Sequence, residues 1–192
     1  MYTQKKFQKV TSDEISNILK KYYTSLLSSF YESQSSFLTG IYKRYNSMET
    51  ANIMLCFSRN VHLEIIRQRE KEINFDISLK NFWNNFNYIN KPLDKVATIV
   101  QITNIPKETV RRKIKKLTEK GFLINNKNAK KYSWNLSSKH KDFYYNFANN
   151  EISTLSKFTS RFAKYLHLKL NAKSVEEEIK SEFSFYWYHF LS

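Results

Sequence analysis

I99-V-Q-I-T-N-I-P-K-E-T-V-R-R-K-I-K-K-L-T-E-K-G-F-L-I-N-N-K-N-A-K-K-Y-S-W-N-L-S137 is the stretch on which the reading of this chain turns. Residues 93–102, which lead into it, read as a short helix packing Val96, Ile99 and Val100, and Thr103-Asn104-Ile105 as a tight turn. Pro106 then opens a new helix at its favoured first position, where its missing N–H would have had no partner anyway. That helix runs to about Lys120 and stops at Gly121, since glycine adopts the left-handed conformation that commonly ends helices. Phe122-Leu123-Ile124 reads as a strand, NNKNAK as a polar, basic loop, and KYSWNL as a return strand with Tyr132, Trp134 and Leu136 alternating on one face.

At about 100° per residue, Val110, Ile114 and Leu117 share one side of the second helix and predict its buried seam. Glu108, Arg112 and Lys115 fall roughly opposite, with Arg111 and Lys116 on the flanks. Helix, turn, helix and a two-stranded wing specify a winged helix-turn-helix. The expected fold class is therefore mostly α, with a small β-hairpin wing and flanking N- and C-terminal helices. In such a module the N-terminal part of the second helix approaches base edges in the major groove. Arg111 and Arg112 suit guanine O6 and N7, and Glu108 suits cytosine N4. Thr109 and Lys115 extend the same surface. Lys107, Lys113 and Lys116 suit phosphates, and wing residues Asn126, Lys127, Lys130 and Lys131 suit the flanking backbone or minor groove.

The charge distribution agrees. The 192 residues carry 32 Lys+Arg against 17 Asp+Glu, a net charge of +15. Residues 91–141 hold 14 basic and 3 acidic side chains, net +11, while residues 1–90 are +4 and residues 142–192 are neutral. Nineteen Asn, six Ala and two Gly look like the product of AT-rich codons. Codon bias would raise lysine everywhere, so the central concentration needs another cause. A focused positive field is what a phosphate-backbone binder requires.

The central segment resembles the winged-helix domains of bacterial transcriptional regulators, with their pattern I-A-x-x-T-G-I-P-x-x-T-V-R-R-x-I-x-x-L-x-x-x-G. Ile99-Val100, Thr103, Ile105-Pro106, Thr109-Val110-Arg111-Arg112, Ile114, Leu117 and Gly121 occupy those places. Its position between flanking helices is similar to MarR-type regulators. Where their wing carries D-x-R before a strand ending V-x-L-T, this chain has Asn128-Ala129-Lys130 and Trp134-Asn135-Leu136-Ser137. The resemblance implies a cytoplasmic regulator that dimerises through its terminal helices.

Outside the centre, T-S-D-E at 11–14 is a capping-box pattern. Ile15, Leu19, Tyr22, Leu26 and Phe30 follow at helical spacing, predicting a helix to about Tyr45 with an interruption near Gly40. A second helix over 47–72 turns Met54, Phe57, Val61 and Ile65 inward. Leu79, Phe82, Trp83 and Phe86 predict a short helix over 78–88. Phe143 to Leu166 reads as one helix with a break at Asn149-Asn150. A last helix is capped by Ser174 and ends in the aromatic FSFYWYHFLS, whose apolar surface needs cover from the chain or a second subunit.

Three regions result. Residues 1–75 and 139–192 are helical and serve dimerisation, the latter with an effector pocket as an option, and residues 76–138 bind DNA. Double-stranded DNA and a second copy of the chain are the expected partners.

Enzyme classes find no support. Phosphate-loop, G-x-G-x-x-G and H-E-x-x-H motifs are absent, so neither a cofactor nor a metal is expected. His62, His140, His167 and His189 are scattered and read as surface or half-buried residues. Cys56, in the apolar run IMLCF, reads as a core thiol, and one cysteine excludes an internal disulfide. No apolar run of membrane-spanning length occurs, and MYTQKKFQKV leads into TSDEI rather than the apolar stretch of a secretory signal. Aromatics, 16% of the chain, are assigned first to core and dimer contacts, then to an effector pocket, and last to stacking on single strands. The expected function is sequence-specific regulation of transcription. The alternatives are a replication-initiator or phage/plasmid-type origin-binding protein using the same module, and a protein-interaction adaptor.

Overall fold

A computed structural model describes residues 10–192; the basic segment 1–9, including most of MYTQKKFQKV, lies outside the described residues. Helix α1 (Ser12–Lys21) opens on the capping box: Thr11 Oγ1 accepts from the Glu14 N–H at 3.2 Å, and Glu14 Oε2 accepts from the Thr11 N–H at 2.8 Å. Helix α2 (Tyr23–Tyr45) follows after a break at Tyr22, where φ is −112°. The interruption expected near Gly40 is thus found at Tyr22. Gly40 stays inside α2 because the Phe147 ring occupies its missing side chain's place; a Cβ there would lie 2.6 Å from that ring. Left-handed Asn46 and N-cap Ser47, which accepts from the Thr50 N–H at 3.3 Å, turn the chain into α3 (Met48–Lys71).

The helix expected over 78–88 shrinks to one turn, α4 (Phe82–Asn85). Backbone bonds to the C-terminal helices hold the flanking chain instead, Leu79 N–H to Lys180 O at 2.9 Å and Ser184 N–H to Ile77 O at 3.1 Å. Leu79, Phe82 and Phe86 are nevertheless buried. Helix α5 (Val96–Thr103) starts later than periodicity predicts. Asp94 exchanges two backbone hydrogen bonds with Tyr132, at 2.8 and 2.9 Å, and so is extended rather than helical.

Asn104, at φ 53°, makes the turn, and Thr103 Oγ1 braces it by accepting from the Ile105 N–H at 3.3 Å. Pro106 is the N-cap, one place before the expected position, and α6 runs Lys107–Glu119. Gly121, at φ 76°, ends it: the Phe122 N–H reaches Leu117 O at 2.9 Å and the Gly121 N–H reaches Thr118 O at 3.0 Å. These are the paired bonds of a glycine-terminated helix. Strands β1 (Leu123–Asn126) and β2 (Lys131–Trp134) pair antiparallel, Leu123 opposite Trp134 and Asn126 opposite Lys131.

A 3-10 turn (Ser138–His140) leads into α7 (Lys141–Tyr165), which passes through Asn149-Asn150 unbroken. Both amides are satisfied without breaking the helix: Asn149 Nδ2 donates to Tyr145 O at 2.9 Å, and Asn150 Nδ2 to Ser36 Oγ at 2.6 Å. Asn171, not Ser174, caps α8 (Ala172–Ser181), accepting from the Ser174 N–H at 2.8 Å. A break at Glu182 separates α9 (Phe183–Phe190) from it.

The described residues thus form a mostly helical protein of nine α-helices with one two-stranded hairpin after the central helices. No helix among them is long and apolar enough to cross a membrane. Helix α2 packs along α7, and α9 along α3. A single apolar core runs from Phe57 and Ile65 of α3 through Val110, Ile114 and Leu117 of α6 to Phe183 and Trp187 of α9. His62 and His140 are both buried rather than at the surface or half-buried; His62 lies within the core, where its ring stacks on Phe82 at 4.7 Å and Nε2 meets Tyr144 Oη at 2.8 Å. Burial pushes its pKa down to about 3.

Candidate nucleic-acid interface

Because Val110, Ile114 and Leu117 are spent on the core, α6 must turn its charged residues outward. Lys107, Glu108, Arg111, Arg112, Lys115 and Lys116 are exposed, and Thr109 is half-buried. Arg111 Nη1 pairs with Glu108 Oε1 at 2.8 Å, and Lys115 lies 4.0 Å from Glu119 Oε1. Exposed pairs within one helix contribute only about 0.3–0.5 kcal/mol, so they yield readily to a stronger partner.

Lys113 stands apart from this set. Its ammonium donates to Ser47 Oγ at 2.8 Å and to Thr50 Oγ1 at 3.2 Å, and pairs with Glu49 Oε2 at 2.9 Å. It fastens α6 to the start of α3.

One flank of α6 and the hairpin form the two walls of an open groove of about 630 Å³. Lys107 and Arg111 project from α6, Lys127 and Lys130 from the hairpin, and Lys95 from the N-terminus of α5, and no acidic side chain lines it. The groove brings together residues separated in sequence by a helix and a strand. Lys95 is its unforeseen member; only the Asp94–Tyr132 pairing, which lays that segment beside β2, puts it there. Asn126 has a shaping duty, its Oδ1 accepting from the Ala129 N–H at 3.1 Å. Lys130 takes a positive φ of 49°, closing the turn, and Lys131 begins β2 half-buried. Comparison with known protein families, curated proteins and solved structures finds no match.

Where the helical regions meet the hairpin, Ile41, Tyr45, Met54, Trp134 and Tyr144 help enclose an apolar cavity of about 40 Å³. That is room for about three or four waters at roughly 10–15 Å³ each. Drug-sized ligands occupy about 300–1,000 Å³, so an effector here would have to open the site. Among the described residues no group of His, Cys, Asp or Glu is spaced to hold a metal ion. Cys56 is buried, and that burial raises its thiol pKa. Cations gathered without an acidic neighbour in the groove are chemically suited to holding anionic groups.

Proposed function

We propose that the chain is a cytoplasmic, sequence-specific double-stranded DNA-binding transcriptional regulator built on a winged helix-turn-helix. Helix α6 lies in the major groove and the hairpin rests on flanking phosphates. The observation that carries this is the acid-free groove joining Lys95, Lys107 and Arg111 to Lys127 and Lys130. Cations on two walls suit a phosphate backbone, which is a large source of affinity for duplex DNA. Arg112 and Lys115, exposed beyond the groove, supply donors for base edges.

The protein acts as a homodimer. Helix α1 contributes no buried residue to its own chain. Its Ile15 and Leu19, with Tyr23, Phe30 and Leu38 of α2, are exposed apolar side chains that a second copy would cover. Pairing places two α6 helices on successive major-groove segments, about 34–36 Å apart.

Fluorescence anisotropy with genomic duplex fragments across a salt series tests this. The expected result is tight binding to a minority of fragments and a steep fall in affinity with salt. Equal affinity for every fragment, or no salt dependence, overturns it.

A further inference from the structure

A second cationic hollow, of about 340 Å³, lies on the other side of α6, where α2 turns into α3. Arg44, Ser47, Thr50, Arg112, Lys116 and Lys120 line it, and no carboxylate does. The nearby Glu49 is neutralised by Lys113. Arg44 is its unusual member. The guanidinium is held 4.6 Å from the Phe122 ring centre and 4.3 Å from that of Phe143, with Nη2 2.6 Å from His140 Nδ1. None of the ion pairs among the described residues involves it.

Taking a guanidinium partly out of water without a counter-ion is unfavourable. Aromatic faces and an imidazole lone pair fix its direction but do not neutralise its charge. The first turn of the 24-residue α3 adds the positive end of its dipole to the same hollow.

We propose that this α2–α3 junction is a second phosphodiester seat, so that the duplex is held on both sides of α6. This rests on the reading of α6 as a major-groove helix. By helical position, Lys107 and Arg111 fall on one flank of α6, and Lys116 and Lys120 on the other. An α-helix with its side chains is about 10–12 Å across, close to the ~12 Å width of the major groove. Cationic hollows on both flanks therefore meet the two strands that border one groove segment. The N-terminal helices become part of the DNA-binding surface as well as the dimer.

The test compares Arg44→Gln, Lys120→Gln and the hairpin variant Lys127→Gln on a preferred genomic duplex, measured from 50 to 200 mM salt. Arg44→Gln and Lys120→Gln should each lower the slope of log affinity against log salt by about 1, the signature of one lost phosphate contact. Phosphate-ethylation interference should vanish on one border of the groove for these two, and on the other for Lys127→Gln. Lys120 is exposed at the end of α6, so its variant decides the matter even if Arg44→Gln fails to fold. Wild-type slopes in Lys120→Gln beside a reduced slope in Lys127→Gln overturn the second seat and leave the major-groove reading standing. Failure of the wild-type chain to bind any duplex overturns both. Tight binding of inorganic phosphate that Arg44→Gln and Lys120→Gln abolish, with duplex binding unaffected, reassigns the hollow to a free anion and overturns the proposal.

Discussion

Acidification should unfold this protein partly through one side chain, His62. In the folded chain its imidazole is fully buried and its pKa falls to about 3, whereas an unfolded histidine titrates near 6.5. The unfolded state therefore binds the proton first. Stability from this site is fully present above pH 6.5 and is lost as pH falls towards 3, at up to about 1.4 kcal/mol per pH unit. Between pH 7 and pH 5 the loss works out to about 2 kcal/mol. His140, also lowered by burial and then by the Arg44 charge, acts in the same direction, whereas Asp94 and Glu151, raised by burial, act in the opposite one. A within-series comparison separates these from His62. Urea midpoints measured at pH 7, 6 and 5 for wild type and for His62→Gln should show the wild type falling more steeply, by about 1 M over the range for a slope near 2 kcal/mol/M. His62→Gln starts lower, because it loses the stack on Phe82, but its profile is flatter. Parallel profiles for the two proteins would refute the assignment of a neutral, proton-excluding His62.

Gly40→Ala should destabilise despite a gain of about 1 kcal/mol in helix propensity. The new Cβ meets the Phe147 ring at 2.6 Å, and overpacking costs about 1–3 kcal/mol; a raised melting temperature would show that the ring moves aside freely. Gly121→Ala should cost about 1–2 kcal/mol through its left-handed backbone alone, since the site has open space around it. Thermal melts in which Gly121→Asn loses as much as Gly121→Ala would contradict that explanation. Arg112→Ala should lower discrimination between preferred and random duplex by about 1–3 kcal/mol, whereas Lys127→Ala should weaken both alike. Competition binding with the two duplexes distinguishes these outcomes.

Features governed by neighbours in sequence were legible without coordinates. The Thr11–Glu14 box, the Val110–Ile114–Leu117 seam and the glycine stop at 121 depend on spacings of a few residues. The expected alternation along 131–136 was legible only in part: Trp134 and Leu136 are buried, but Ser133 between Tyr132 and Trp134 is buried too and the strand stops at Trp134. Features set by contacts across the chain were not. Gly40 is tolerated in mid-helix because of Phe147, more than a hundred residues away, while the actual break falls at Tyr22. Asn149 and Asn150 look like a helix stop until their amides find Tyr145 O and Ser36 Oγ.

The same division applies at the candidate interface. Exposure of Arg112 and Lys115 follows from the helical wheel, but Lys95 and Arg44 reach their grooves only through tertiary packing. Lys113 is drawn away to Ser47, Thr50 and Glu49 by the docking of α6 against α3. A basic residue facing outward on a wheel is therefore a candidate contact only after the neighbouring helix has been placed.

The two strands pair with each other, Tyr132 of β2 is bridged to Asp94, and the Asn126 amide pins the hairpin's tip. Its backbone is already ordered before any ligand arrives. In the proposed complex, docking would spare most of the ~1–2 kcal/mol per residue that freezing a loose loop would require. What remains is the rotamer freedom of Lys127 and Lys130, about 0.5–1.5 kcal/mol for each side chain immobilised. Under the proposed DNA-binding function, a hairpin held in this way would favour duplexes whose shape already fits it.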